Sequence, residues 1–472
     1  MKTRRLHALA VAMSVALAGC VDLAPHYQRP AAPVPDHWPA VDGAVAAVGG
    51  KGGAPADVQW RAFFTDPRLR QVVAQALDNN RDLRVAALDI EKERAEYRIA
   101  GSDLFPTIDA TASGVAERTS ASASGTGYSV LSREYSVELG FSSYELDVFG
   151  KLRNQKKEAL ETFFSDVETR RSTQISLVAE VATDWLTMAS DRQLLKLARD
   201  TLASEQATFE LVKREHDLGV VSGTDLAEAQ SAVESARLDV GTYVTDVAQD
   251  RNALDLVVGK VVPDALLPGD DEGTASALSA LPAGLPSSLL AQRPDVLAAE
   301  HTLKAANADI GAARANFFPS ITLTAADGSV SDSLHGLFKS GTHGWTFEPS
   351  ISLPIFDAGN NRATLDAAKV QRDIDVADYE KTIQTAFEEV ANALAARATL
   401  ADRMEAARSL VEADRKSYEL TEASYRQGAS SYLDVLVTQR TYYTAREQLI
   451  SLQLAEQTNR VALYKVLGGG WN

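Results

Sequence analysis

The sequence predicts a mainly α chain with a small β part: long antiparallel helices in coiled-coil packing, interrupted by four strands. Three observations predict it. Sixteen prolines are present, yet none lies between 107 and 262 or between 355 and 472. Proline costs roughly 3 kcal/mol inside a helix, so tracts this free of it permit very long helices. Within them apolar residues step alternately by three and four, as in Ile175, Val178, Ala182, Trp185 and Ala189, or Ile383, Phe387, Val390 and Leu394. That is the seam of helices packed side by side. The chain is also written twice. Residues 82–112 align on 295–325 at a constant offset of 213, and residues 211–259 align on 420–468 at an offset of 209.

Composition narrows the function. The 472 residues hold 64 acidic and 47 basic side chains, a net charge of −17. Nucleic-acid binders need clustered Lys and Arg, so no nucleic acid is expected as a partner. A single cysteine excludes an internal disulfide or a multi-cysteine metal site, and the seven histidines contain no pair at HExxH spacing. His335 and His343 read as loop surface residues, not metal ligands. Gly468-Gly469-Gly470 reads as a helix terminator and tail, not a phosphate loop, because no strand precedes it. No enzyme and no metal or cofactor are expected.

The N-terminus reads as a targeting segment. Lys2, Arg4 and Arg5 precede an apolar run from Leu6 to Ala18, which ends in Leu17-Ala18-Gly19-Cys20. The run is too short to span a bilayer comfortably and suits a signal h-region. Its end resembles the bacterial lipobox: residues 1–19 would be a lipoprotein signal peptide, and Cys20 the lipidation site carrying a diacylglycerol and an N-acyl chain. Acylation also removes a thiol that is a liability in an oxidising compartment. Val21, where aspartate commonly retains lipoproteins at the inner membrane, favours the outer membrane. The plainer alternative is a non-lipidated leader cut near Ala18.

Residues 20–59 hold six prolines (Pro25, Pro30, Pro33, Pro35, Pro39 and Pro55) and read as an extended arm. The first repeat then spans 60–262, a linker 263–294, the second repeat 295–468, and a tail 469–472. Each repeat is expected to hold a helix (about 68–103 and 295–316) stopped by Phe-Pro, two strands, a very long helix (about 153–218 and 360–427), a glycine-marked turn and a second helix. Leu436, Tyr443 and Ile450 recur every seven in the last of these. Sixty-odd helical residues reach roughly 90–100 Å.

The strands rest on period-two alternation. Tyr135, Val137, Leu139 and Phe141 alternate with polar residues; so do Ile321, Leu323 and Ala325, and Trp345, Phe347, Ile351 and Leu353, with Pro349 as an expected irregularity. Polar loops at 120–127 and 328–341 join the pairs. Such strands match a membrane barrel wall. Four cannot close, and an open edge in lipid leaves backbone groups unpaired, so several chains would share one barrel: two give eight strands, three give twelve. The alternative is a water-soluble sheet capping the rods. Trp345 and Phe347 fit either an interfacial aromatic girdle or simple wall packing.

The chain resembles the TolC-like outer membrane factor family, in the lipoprotein branch that serves RND-type multidrug efflux pumps. The resemblance is carried by the lipobox and by Pro25-His26-Tyr27-Gln28-Arg29-Pro30, Trp60-Arg61-Ala62-Phe63-Phe64 with Asp66, Leu69 and Asp82-Leu83, Arg293-Pro294-Asp295-Val296, Phe317-Phe318-Pro319-Ser320-Ile321, Glu145-Leu146-Asp147-Val148-Phe149-Gly150 and Leu353-Pro354-Ile355-Phe356-Asp357. It covers essentially the whole mature chain. It implies a TolC-like fold: a homotrimer whose helices form a periplasmic α-barrel and whose strands form a shared 12-stranded outer-membrane β-barrel. The partners implied are outer-membrane lipid, a periplasmic adaptor and an inner-membrane RND pump, with small molecules such as drugs conducted passively to the exterior. A type I protein-secretion duct and a non-pore lipoprotein scaffold are the alternatives.

The resemblance further implies a periplasmic gate near the turns 219–224 and 428–433. Asp434 matches a family aspartate, while Val437 stands where a second one is expected. Leu433 and Arg440 match constriction and link positions. Thr224 and Asp225 match a Thr-Asp pair on the facing hairpin, to which Tyr425 would bond across. Ser430 stands where the family has an arginine. Three copies of Asp434 around an axis would repel one another and raise their pKa.

Overall fold

The computed structural model describes residues 22–39, 59–270, 278–279 and 287–469. The leader at 1–19, Cys20, much of the arm and parts of the linker lie outside the described residues. The chain divides into two compact units, one of Met1–Ala31, Asp89–Asp166 and Ala298–Tyr379, the other of Ala32–Leu88, Val167–Leu297 and Glu380–Asn472. Both repeats contribute to each unit.

The helices are α1 (Trp60–Phe63), α2 (Pro67–Asn79), α3 (Arg81–Ser102), α4 (Lys151–Asp217), α5 (Gly223–Val258), α6 (Pro294–Ala315), α7 (Asn360–Arg426) and α8 (Tyr432–Val466). The strands are β1 (Asp109–Thr119), β2 (Val130–Glu145), β3 (Ser320–Ser331) and β4 (His343–Ser352). The two long tracts are single helices of 67 residues each, about 100 Å at 1.5 Å per residue.

The first helix, expected unbroken over 68–103, is two. Asp66 caps α2 by accepting from the backbone N–H of Arg68 (2.7 Å) and Leu69, with Pro67 at the first helical position. The chain then turns extended at Asn80, whose side chain accepts from Leu83 N (2.9 Å) to start α3 and donates to Val257 O (2.8 Å). Gly259 lies against this break: it has φ +80°, and a Cβ there would meet Asn79 O at 2.4 Å. A buried polar side chain that satisfies two backbone groups breaks the helix where the apolar pattern runs straight through.

The core of the second unit gathers Trp60, Phe63, Phe64, Leu69 and Val72 with Val178, Ala182, Trp185 and Ala189 of α4, Leu254 of α5 and Tyr464 of α8. Phe63 stacks on Tyr464 at 4.1 Å, and the Trp185 indole donates to Leu266 O at 3.0 Å. The three-four seam expected on α4 is therefore its buried face. Arg293, of the Arg-Pro-Asp segment, is pinned by Asp295 (2.7 Å), Glu389 (2.8 Å) and Val466 O (3.0 Å).

In the first unit the strands form one antiparallel sheet in the order β1-β2-β3-β4. β4 is regular through Pro349, which lies opposite Leu323; a proline is tolerated on a strand with a neighbour on one side only. The irregularity sits instead in β2, where Phe141 faces Ala325 and Tyr144 faces Leu323, with Ser143 at φ +58°. One extra residue makes a bulge. β3 also runs on to Ser331, into the stretch expected as loop, and His343 opens β4 and meets Asp327 at 2.8 Å. Among the described residues no helix is long and apolar enough to cross a membrane.

Candidate functional site

The register assigns the faces of the sheet, because residues directly opposite share a face. Leu139 pairs with Ala110 and Asp327, Val137 with Ala112, Phe141 with Ala325, and Ala325 with Phe347. One face therefore carries Ala110, Ala112, Leu131, Tyr135, Val137, Leu139, Phe141, Ile321, Leu323, Trp345, Phe347 and Ile351, with Arg118, Arg133, Asp327 and His343 toward the loop end. The bulge shifts parity by one, so Tyr144 stays on this face and packs edge-on against Phe141 at 6.1 Å. The other face carries Thr111, Ser113, Glu117, Glu134, Ser136, Glu138, Thr324, Thr346 and Glu348, with the Ser113 and Ser136 hydroxyls 2.8 Å apart. Trp345, Phe347 and Ile351 are 73%, 58% and 70% exposed, and β1 and β4 each lack a neighbour on one side within the chain. The sheet thus has a mainly apolar face with charged residues toward the loops, a polar face lined with glutamates, and two open edges.

The arm is held in the same unit by a ladder along α6. Arg314 donates to Leu23 O (2.9 Å), Asn307 donates to Pro25 O (2.7 Å), and Glu300 accepts from the Tyr27 hydroxyl (3.1 Å) and from Arg29. The helix positions 314, 307 and 300 are seven apart and share one face. They span about 21 Å of helix, close to the roughly 20 Å that six extended residues cover. Asn154 donates to Asp22 at 3.0 Å. Glu300 is almost wholly buried. Burial alone would raise its pKa, but the hydrogen bonds from Arg29 and Lys304 prevail and hold it below the usual carboxylate value.

The hairpin tips of the second unit are built alike. After α4, Val220 N donates to Glu215 O (2.8 Å) and Gly219 N to His216 O (2.8 Å); after α7, Ala429 N donates to Ser424 O (2.9 Å) and Gly428 N to Tyr425 O (2.8 Å). Gly219 and Gly428 both have φ +75°, the left-handed stop that favours glycine. Each following helix opens with a reciprocal capping box, Ser222 with Asp225 and Ser431 with Asp434. Val212 of α4, Ala229 of α5 and Tyr432 and Leu436 of α8 pack together behind the tips.

The structure places the expected gate residues here with one correction, the partner of Tyr425. Asp434 is exposed, and its carboxylate accepts from the Ser431 hydroxyl (2.7 Å) and backbone N–H (3.0 Å), which lowers its pKa. The raised value expected from a ring concerns three copies; within one chain the capping bonds favour the charged form. Tyr425 reaches the facing hairpin, but at Glu215 (2.9 Å) and not at Asp225, because the Asp225 carboxylate is engaged by Ser222. Burial, the bond to Glu215 and nearby negative charge push the Tyr425 phenol up to about 12. Leu433 and Val437 are exposed side by side on α8, and Thr224 is exposed. Arg440 is exposed and makes no ion pair among the described residues. Ser222, Ser431, Glu215 and Glu300 escaped the sequence reading. The Ser-x-x-Asp spacing repeated at both turns was the available signal for the first two; nothing local marks the others.

Among the described residues no group of three or more His, Cys, Asp or Glu could hold a metal ion.

Comparison with known proteins places this geometry. The model of the family described as outer membrane efflux protein matches residues 72–260 and 285–469. The chain is 48% identical over 469 residues to the toluene efflux pump outer membrane protein TtgC of Pseudomonas putida, covering 99% of this chain and 96% of the relative. It is 40% identical over 465 residues to the outer membrane protein OprJ of Pseudomonas aeruginosa, covering 98% and 95%. The open state of the MtrE outer membrane channel of Neisseria gonorrhoeae superposes with a TM-score of 0.85 at 37% identity, over 96% of this chain and 99% of that one. A mainly helical chain with a four-stranded two-faced sheet, matched along both repeats, belongs to the outer membrane efflux protein family.

Proposed function

We propose that three copies of this chain form the exit duct of a tripartite efflux pump, passing small molecules from a periplasmic adaptor and an inner-membrane pump to the exterior without catalysis. The observation that carries this reading is the sheet. Its apolar face suits lipid and its glutamate-lined face suits a water-filled lumen. Its two open edges cannot stay unpaired in hydrocarbon. Each copy brings β4 to the β1 of the next, and three copies give twelve strands.

The hairpin tips are the proposed gate. Asp225 and Asp434 place carboxylates there, Tyr425 ties the two hairpins, and Leu433 with Val437 offers an apolar constriction. Exposed Leu218 and Val220 at the first tip suit the adaptor. Cys20 is proposed to carry the acyl anchor, because the arm is already fixed two residues on, where Asp22 meets Asn154 of α4, and the ladder on α6 begins at Leu23, just before α6 leads into β3.

The test is reconstitution. Full-length protein extracted from outer membranes should run as a heat-modifiable trimer and conduct ions in planar bilayers. A monomer that leaves the bilayer silent would overturn the reading. Mass spectrometry of the mature N-terminus should find an acylated cysteine, and a free amine at residue 19 or 21 would remove the anchor.

A further inference from the structure

One buried carboxylate behind the tips has no role in the duct as described. Glu205 of α4 is 6% exposed, and its Oε2 has no hydrogen-bond partner. The Tyr432 hydroxyl of α8, also buried, has none either. α4 runs toward the tip and α8 away from it, and Val212 meets Tyr432 and Leu436. Two turns back along α4, about 10 Å, Glu205 is therefore level with the turn of α8 that holds Arg440.

The charged and titratable groups around Glu205 and the tyrosines beside it come from three helices. Arg440 and Tyr432 approach from α8 and Tyr418 from α7, with Ser204 beside the Tyr418 hydroxyl. From α5, Glu228 acts on Tyr432. Glu422 and Arg426 of α7 act on Tyr418; the cation that acts on Glu205 itself is Arg440, which is exposed. Ionising Glu205 in this packing strands a negative charge without a hydrogen bond on one oxygen, the costly case for a buried group.

We propose that Glu205 is a proton-operated positioning residue of the hairpin tips: protonated it lets α4 and α8 pack, and ionised it loosens that contact so that the second hairpin can part from the first. The proposal rests on reading the tips as the gate. Burial raises the Glu205 pKa and Arg440 pulls it down by less, leaving it at about 7. A carboxyl raised in the packed form binds its proton more tightly there, so protonation favours packing. The stabilisation is complete below the ordinary glutamate value and is lost as pH rises through about 7. Within that window the packed-to-parted ratio falls by up to roughly tenfold per pH unit and copy.

The experiment follows full-length protein from pH 5.5 to 8.5, measuring amide exchange of residues 205–212 and 432–440, corrected for intrinsic rates, beside bilayer conductance. In the unmodified protein protection should fall and conductance rise with pH. Glu205→Gln should flatten both, and Arg440→Gln should move the midpoint upward. Protection that is flat in the unmodified protein, or that keeps its pH dependence in Glu205→Gln, overturns the proposal. Exchange that follows pH while conductance does not leaves Glu205 as the latch and removes the gate from the tips. Where Glu205→Gln fails to assemble, the Arg440→Gln midpoint decides, and an unmoved midpoint overturns the proposal.

Discussion

The Tyr425 hydroxyl donates to the Glu215 carboxylate at 2.9 Å, joining two hairpin tips that are 210 residues apart in sequence. A hydrogen bond to a charged acceptor contributes about 1.5–3 kcal/mol, so this contact alone can shift the balance between joined and parted hairpins by roughly tenfold or more. Tyr425→Phe should raise resting conductance in planar bilayers by about that factor. Conductance that stays at the parent level in a folded trimer would remove the contact from the gate. The phenol is raised in the joined state, so the contribution is complete below pH 10 and is lost as pH climbs through about 12.

Asp434 has two separable duties, helix cap and carboxylate at the tip. Ser431→Ala removes the cap and should cost about 1 kcal/mol of local stability, read as faster amide exchange at the start of α8, with little change in ion selectivity. Asp434→Asn keeps an acceptor for the Ser431 N–H and removes the charge. It should raise resting conductance and weaken cation preference. If the two variants behave alike, the aspartate is a cap and nothing more. The folded-state pKa is depressed, so the capping contribution is present above the ordinary aspartate value and disappears as pH falls through the lowered one.

Glu300 clamps the arm. Arg29→Ala removes its exposed partner and leaves a buried carboxylate with Tyr27 and Lys304. Breaking a fully buried pair costs about 3–5 kcal/mol; Arg29 is half exposed, so about 1–2 kcal/mol is expected after solvent screening. Limited proteolysis should cut residues 22–39 faster while the sheet stays protected. An arm cut at the parent rate would show the ladder to be dispensable. The Glu300 pKa is lowered, so the clamp should hold at neutral pH and weaken as pH falls below about 4.5.

The two faces of the sheet should respond oppositely to charge. Phe347→Arg on the apolar face should cost up to about 2–4 kcal/mol per copy and block insertion. Glu348→Gln, one residue along on the polar face, should insert normally and change only ion selectivity. Yield of heat-modifiable trimer from outer membranes separates the cases, and equal yields would reverse or erase the assigned faces.

Much of the fold was legible because it is periodic. The proline-free tracts and the three-four seam of Ile175, Val178 and Ala182 mark α4, and period two in Trp345, Phe347 and Ile351 marks β4, since each pattern follows from where side chains point along its element. Asn80 shows the limit: the apolar period continues across it, and only a hydrogen bond to Val257, far along the chain, breaks the helix. Pro349 shows it from the other side. A proline reads as a break, but within one chain β4 has a neighbour on one side only, and the bulge falls in β2 at Ser143, which no residue type announces.

By itself the sequence determined the duplication, the order of the long helices and strands, the lengths of the rods and the position of Cys20 behind an apolar run, because these depend on local spacing and residue type. Tertiary structure decided which carboxylate Tyr425 meets, that Asp225 and Asp434 serve as caps, that Glu205 is buried with an unpartnered oxygen, and that Arg314, Asn307 and Glu300 align to hold the arm. Each of these depends on the register between helices or on an extended segment laid against one. Register is set by the packing of whole faces, so no short stretch of residues encodes it.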